Sequence, residues 1–179
     1  MQASKGEKFD AAAYVRSIWN DQLQKKLDSA IDISILRQSL QSGSDKAFDE
    51  NTHALAIGNY RYALVKGIAV VDKVNQDDVT ILIESQPNFK ATLATEFVYG
   101  NALRDASGLI DLKAFPNTND LNAVSEELNR MVRNKVVPSI KPLLKVGSKI
   151  EFTGAIELNK EHVRFDNIEI IPVRIKTVS

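Results

Sequence analysis

Two strand-like runs in this chain carry a single glycine in their interior: Val65-Lys66-Gly67-Ile68-Ala69-Val70 and Phe152-Thr153-Gly154-Ala155-Ile156-Glu157. Glycine inside a strand weakens it, so its presence marks a place where the backbone bends sharply or bulges. Small closed barrels need such corners. The pattern therefore predicts a closed β-barrel creased at Gly67 and Gly154, with further elements between the two runs.

The flanking periodicity fills in the order. Asp10 is placed to cap a helix whose apolar face is Val15, Ile18, Trp19, Leu23 and Leu27, and Phe9 with Tyr14 is placed to form a hydrophobic staple across that cap. The same grammar recurs at Ile31, Asp32 and Leu36 for a shorter helix carrying Ile35, Leu36 and Leu40. Residues 41–51 read as a polar linker. From Ala54 the period changes to two. A long strand bent at Gly67 is followed by a turn at Asn75-Gln76-Asp77-Asp78, a strand over 79–83, a turn at Pro87-Asn88, and a third strand over 89–98. A helix starts near Asn119 or Asp120, buries Leu121, Val124, Leu128, Met131 or Val132, and Val136, and is expected to end at Pro138. Two last strands, 149–158 and 163–175, are joined through Asn159-Lys160-Glu161.

Strand, strand, strand, helix, strand, strand is the order of the five-stranded oligonucleotide/oligosaccharide-binding (OB) barrel. The expected fold is mainly β with α: a β-β-β-α-β-β barrel over 51–179, preceded by a helical pair and linker over 1–50, the two packed as one unit. An open antiparallel sheet with one helix is the rival, and glycine at both corner positions favours closure.

Charge restricts the partners. Lys plus Arg and Asp plus Glu number 23 each, so no bulk field draws in nucleic acid or an anionic surface. Apolar runs such as 79–83 are far shorter than the roughly 20 residues of a membrane span. Cysteine is absent, which removes disulfides and thiolate chemistry. Met1-Gln2-Ala3-Ser4-Lys5-Gly6 shows no apolar core with a cleavage site, so no export signal is expected in these residues.

Several segments resemble a bacterial family of predicted periplasmic lipoproteins of unknown function. They are Gly58-Asn59-Tyr60-Arg61-Tyr62-Ala63-Leu64-Val65-Lys66-Gly67, Tyr99-Gly100-Asn101-Ala102-Leu103-Arg104-Asp105-Ala106, Phe9-Asp10-Ala11-Ala12-Ala13-Tyr14-Val15 with Ser17-Ile18-Trp19, Phe115 with Asn117, Leu128-Asn129, and Phe152-Thr153-Gly154-Ala155. The chain departs from the pattern in lacking the lipidated cysteine and in carrying Thr118 where glutamine is expected. The resemblance implies a secreted, lipid-tethered, non-enzymatic domain, in some genomes encoded beside sugar-type ABC importers.

Candidate contacts follow from residue type. Arg104, after Gly100-Asn101, could present its planar fork to a carboxylate, a phosphate or sugar hydroxyls; alternatively Asp105 orients it and the pair ties the crossover to the barrel. Tyr60, Arg61 and Tyr62 with Phe89, Phe97 and Phe165 could build a stacking face, but alternation sends Tyr60 and Tyr62 to one side and Arg61 to the other, and most of these rings are expected in the core. Arg130, Arg133, Lys135, Lys141, Lys145 and Lys149 follow one another without an intervening acid; this is read as a solvated face, with anionic headgroups or an acidic partner as the other use. His53 and His162 lack companions for a metal site. Phosphate loops, dinucleotide fingerprints and nucleophile elbows are missing. The expectation is a non-enzymatic module without a cofactor, whose partner is an envelope protein or a small solute, sugar or anion. A structural scaffold and a single-strand nucleic-acid binder are the alternatives, the latter disfavoured by the charge balance.

Overall fold

A computed structural model describes residues 8–179, so Met1 to Gly6, where no export signal was expected, lie outside the described residues. Helix α1 (Ala11–Trp19) starts where its cap predicts: the Asp10 carboxylate accepts from the Ala13 amide at 3.0 Å, and the Phe9 and Tyr14 rings close the staple at 6.0 Å. The apolar stripe continues into a separate helix, α2 (Gln22–Asp28), which buries Leu23 and Leu27. Trp19 is the last residue of α1, half-buried against the core. A two-residue strand, β1 (Ile31–Asp32), precedes α3 (Ile33–Ser39), capped by Asp32 as its sequence predicts. The expected linker is wrong over its second half. Ser44 caps a fourth helix, α4 (Asp45–Asn51), which buries Phe48; one apolar residue in a polar run shows no periodicity. The helical pair is thus four short helices and a strand.

The barrel is built from β2 (Tyr60–Val74), β3 (Asp78–Ile83), β4 (Lys90–Ala94), β5 (Lys149–Asn159) and β6 (Ile168–Thr177). Strand order is β2-β3-β4-β6-β5, and β5 returns to β2. All neighbours are antiparallel except β4 and β6. Closure depends on the length of β2: residues 60–70 pair with β5 while residues 69–74 pair with β3, so one strand serves two edges. Alternation along β3 buries Val79, Ile81 and Ile83 beside Leu93, Ile150 and Ile170.

The two glycines act differently. Gly154 sits at a bulge between β5 and β6, and a Cβ there would lie 2.3 Å from the Ile171 carbonyl oxygen. It is the predicted corner. At Gly67 the bulge is absent; the irregularity in β2 lies between Val71 and Lys73. Gly67 instead stands opposite Phe152, whose ring would be 2.9 Å from an added Cβ, and so makes room for a buried aromatic.

Between β4 and β5 the chain forms α5 (Ala102–Ala106), α6 (Thr118–Met131), a π-turn over Val132–Val136 and α7 (Val137–Ile140). Asn117 caps α6, and Val124, Leu128, Val132 and Val136 are its buried stripe. The helical path does not end at Pro138. The wide turn closes one helix and starts another with Pro138 in its first turn, where no amide hydrogen is required. The strand expected over 89–98 is shorter, and that expected from 163 begins at Ile168. The difference is a loop in which Phe165 packs edge-on to Phe89 at 6.3 Å and Asn167 takes φ 56°.

Gly154→Ala places a methyl group against backbone that cannot swing away, so it should cost about 3 kcal/mol or more. Gly67→Ala meets only a side-chain ring and should cost less. Urea unfolding of the two variants checks the order.

Candidate functional site

The Arg104 and Asp105 side chains lie under α5, which packs across β2 and β5. They are 6% and 5% exposed. Arg104 Nε and Nη2 donate to the two Asp105 carboxylate oxygens at 2.7 and 3.4 Å, and Nη1 reaches the Leu121 carbonyl at 3.4 Å. A buried fork satisfied in this way ties the crossover to α6 and holds its charge within the pair. The tie belongs to a small cavity of about 260 Å³, lined also by Tyr60, Tyr62, Asn101 and the loop over 54–58. Five residues singled out from sequence therefore meet: Arg104, Asp105, Asn101, Tyr60 and Tyr62.

Arg61 points elsewhere, as strand alternation requires. It pairs with Asp49 of α4 at 2.9 Å. Tyr62 is buried beside Glu157, its partner across the β2–β5 ladder. Burial first, then the Glu157 charge, push the Tyr62 hydroxyl above the ordinary tyrosine range. Of the rings considered, Tyr62, Phe89 and Phe165 are core, as expected for most of the set, whereas Tyr60 and Phe97 are exposed. Phe97 lies in the loop after β4, its ring 6.5 Å from that of Tyr99.

That loop borders a larger groove. A cavity of about 420 Å³ lies between residues 99–101 and the polar stripe of α6: Asn122, Ser125, Glu126, Asn129 and Arg130, continued by Arg133 of the π-turn. The Gly100 carbonyl accepts from Ser125 Oγ at 2.7 Å and from Asn129 Nδ2 at 2.8 Å. Arg133 Nη1 donates to the Val98 carbonyl at 2.5 Å, and the guanidinium sits over the Tyr99 ring at 5.2 Å. Gly100 takes φ +84°, a left-handed conformation that side chains disfavour. A third cavity of about 390 Å³ opens on the opposite side of the same loop, with Glu157 and Glu169 in its lining. Tyr99, Gly100 and Asn101 wall the cavities of about 420 and 390 Å³, and Asn101 also reaches that of about 260 Å³.

Sequence reasoning missed Tyr99, Asn122, Ser125 and Asn129 as site residues, and named Arg133 only within the basic run. A signal was available: Asn122, Ser125, Asn129 and Arg133 recur at helical spacing beside the apolar stripe. Of the basic run, Arg130 pairs with Glu127 at 3.5 Å and Lys149 with Glu84 at 2.9 Å. His53 forms a backbone bridge to Tyr62 and stands against Gly108. Among the described residues no cluster of His, Cys, Asp or Glu is placed to hold a metal ion, and no helix is long and apolar enough to cross a membrane.

The profile of a family described as predicted periplasmic lipoproteins, DUF2291, matches residues 1–176. The chain belongs to this family. The resemblance read from the sequence segments is thereby established, and membership places the protein among periplasmic lipoproteins. The DUF2291 chain also superimposes on a crystal structure of an OB-fold protein from Thermotoga maritima, at 24% identity and a TM-score of 0.79, covering 96% of this chain and 100% of that one. That likeness confirms the five-stranded OB barrel. A search of curated proteins finds no significant match.

Two outcomes are expected in this DUF2291 domain. Arg104→Ala leaves Asp105 buried without its partner and should cost about 3 to 5 kcal/mol in a thermal melt; Arg104→Lys should not restore it, since an ammonium cannot supply the fork. Glu169, on the exposed face of β6, is held above the usual glutamate range by partial desolvation, then by the charges of Asp78 and Glu157. The folded state therefore binds its proton more tightly than the unfolded chain. This contribution is fully present below the ordinary glutamate pKa of the unfolded chain, about 4.3, and is lost as pH rises through the raised folded value. Glu169→Gln should melt above wild type near neutral pH, with the gap closing below the unfolded value.

Proposed function

We propose that this lipoprotein is a non-enzymatic binding module that takes a small solute, sugar or anion, in the groove between the Tyr99–Asn101 loop and α6, and that it serves a solute importer of the envelope. The observation that carries this reading is the convergence of cavities on one loop. Asn101 borders three neighbouring cavities, and the loop is clamped by Ser125 and Asn129 of α6 and Arg133 of the π-turn. A concave site of several hundred cubic ångströms with a few fixed polar groups has the dimensions of a small-molecule pocket. The lining groups are amides, two hydroxyls, two guanidiniums and one carboxylate, Glu126. They supply hydrogen bonds and no activated nucleophile or facing carboxylate pair, which supports binding over catalysis.

The polar floor is built rather than incidental. Ser125 and Asn129 are 4% and 5% exposed and each donate one hydrogen bond to the same carbonyl, so α6 and the loop form one wall. Equal numbers of acidic and basic residues argue against a nucleic-acid strand as the occupant.

A thermal-shift panel of sugars, polyols and anions tests the reading. A ligand at a hundred times its dissociation constant adds about 2.7 kcal/mol, which raises the melting temperature of a domain this size by roughly 5 to 10 °C. At least one class should produce that shift, and Asn101→Ala should abolish it. Silence across the panel would favour a scaffolding role.

A further inference from the structure

The hydrogen-bonding inventory of the α6 groove specifies the chemistry of its occupant more narrowly than its volume does. Its charges are balanced: the guanidiniums of Arg130 and Arg133 stand against the carboxylates of Glu126, in the lining, and Glu127, paired with Arg130 at 3.5 Å. Arg133 is further committed to the Val98 carbonyl and the Tyr99 ring. A free anion would meet as much negative as positive charge here, with Glu126 at the wall. A neutral ligand incurs no such cost.

The polar atoms that remain are oriented. Gly100 offers a carbonyl oxygen, so the Asn129 amide must turn its nitrogen toward it, which leaves Oδ1 as a fixed acceptor. Oδ1 has no partner in the protein. Yet among the described residues the buried side-chain nitrogen or oxygen without a hydrogen bond is Arg61 Nε, so Asn129 Oδ1 opens onto the groove that the residue lines. Ser125 gives its proton to the same carbonyl and keeps lone pairs as a second acceptor. Arg133 uses one of its five N–H groups on Val98 and retains donors beside Tyr99. The Asn101 and Asn122 amides, at the rim, carry a donor and an acceptor each. Tyr99 completes the wall with a ring that is 66% exposed.

Acceptors and donors stand together beside an aromatic surface. The functional group that answers both at once is a hydroxyl, and a row of hydroxyls on a ring with an apolar C–H face is a sugar. We infer that the groove binds a neutral monosaccharide-sized ring, its C–H groups against the part of the Tyr99 ring that Arg133 leaves exposed and its hydroxyls between Asn129, Ser125, Asn122 and Arg133. This rests on the binding-module reading above and adds the ligand class.

Isothermal titration of the full chain with D-glucose, D-mannose, D-xylose and D-ribose, run in parallel with sodium sulfate and sodium phosphate, tests it. At least one neutral sugar should bind saturably, with an affinity unchanged by added salt. Tyr99→Ala and Asn122→Ala alter exposed residues and should each weaken that binding about tenfold or more while leaving the melting temperature unchanged. Saturable binding of sulfate or phosphate alone, weakening with salt, would overturn the ligand class and leave the binding module standing. Sugar binding that survives both substitutions would overturn the site. Failure of every probe to bind would remove the binding-module reading as well.

Discussion

The architecture depends on one close approach of two backbones. At Gly154 the β5 chain passes so near the Ile171 carbonyl that no side chain fits, and the register between β5 and β6 shifts at that point. Without that crease β5 could not turn from β6 on one edge to β2 on the other, and the sheet would stay open with an unpaired border. Because β2 is long enough to pair with both β3 and β5, the crease and the long strand together leave no free barrel edge. Everything placed on the outside, α5 and α6 included, takes its position from that closed surface.

The outer helices then divide the work between holding and presenting. The Arg104–Asp105 tie is fully satisfied and buried, so its charges act as a rivet between the crossover and the neighbouring helix. A rivet of this kind frees the preceding loop from supplying its own packing. Loop 98–100 is instead held through its carbonyl oxygens by Ser125, Asn129 and Arg133. Its aromatic side chain is left outside, where Tyr99 stands exposed beside a polar cavity with the exposed Phe97 ring next to it.

The barrel was legible because alternation and glycine punctuation are short-range signals, and both survive in the strands from Tyr60 onward. The caps at Asp10 and Asp32 were legible for the same reason: one side chain decides them locally. Helix α4 was not, since Phe48 is its lone buried residue, and neither was the break between α1 and α2, across which the apolar spacing of Trp19 and Leu23 runs unbroken. Gly67 was identified as special for the wrong reason, because the ring that needs its missing side chain comes from Phe152, far along the chain. The site was half visible. Residue type pointed to Arg104, Asp105 and Asn101, but not to Tyr99 and the α6 stripe, whose significance arises only when the helix is laid against the loop.

The π-turn over Val132–Val136 has a mechanical meaning of its own. Regular winding advances about 100° per residue, so a single widened turn resets the angular phase of everything beyond it. Upstream of that reset, α6 aims Asn129 at the Gly100 carbonyl; downstream, Val137 and Ile140 stay buried. The two stretches are thus decoupled in azimuth, which lets one continuous rod serve as a cladding for the cylinder at one end and as a wall facing water at the other.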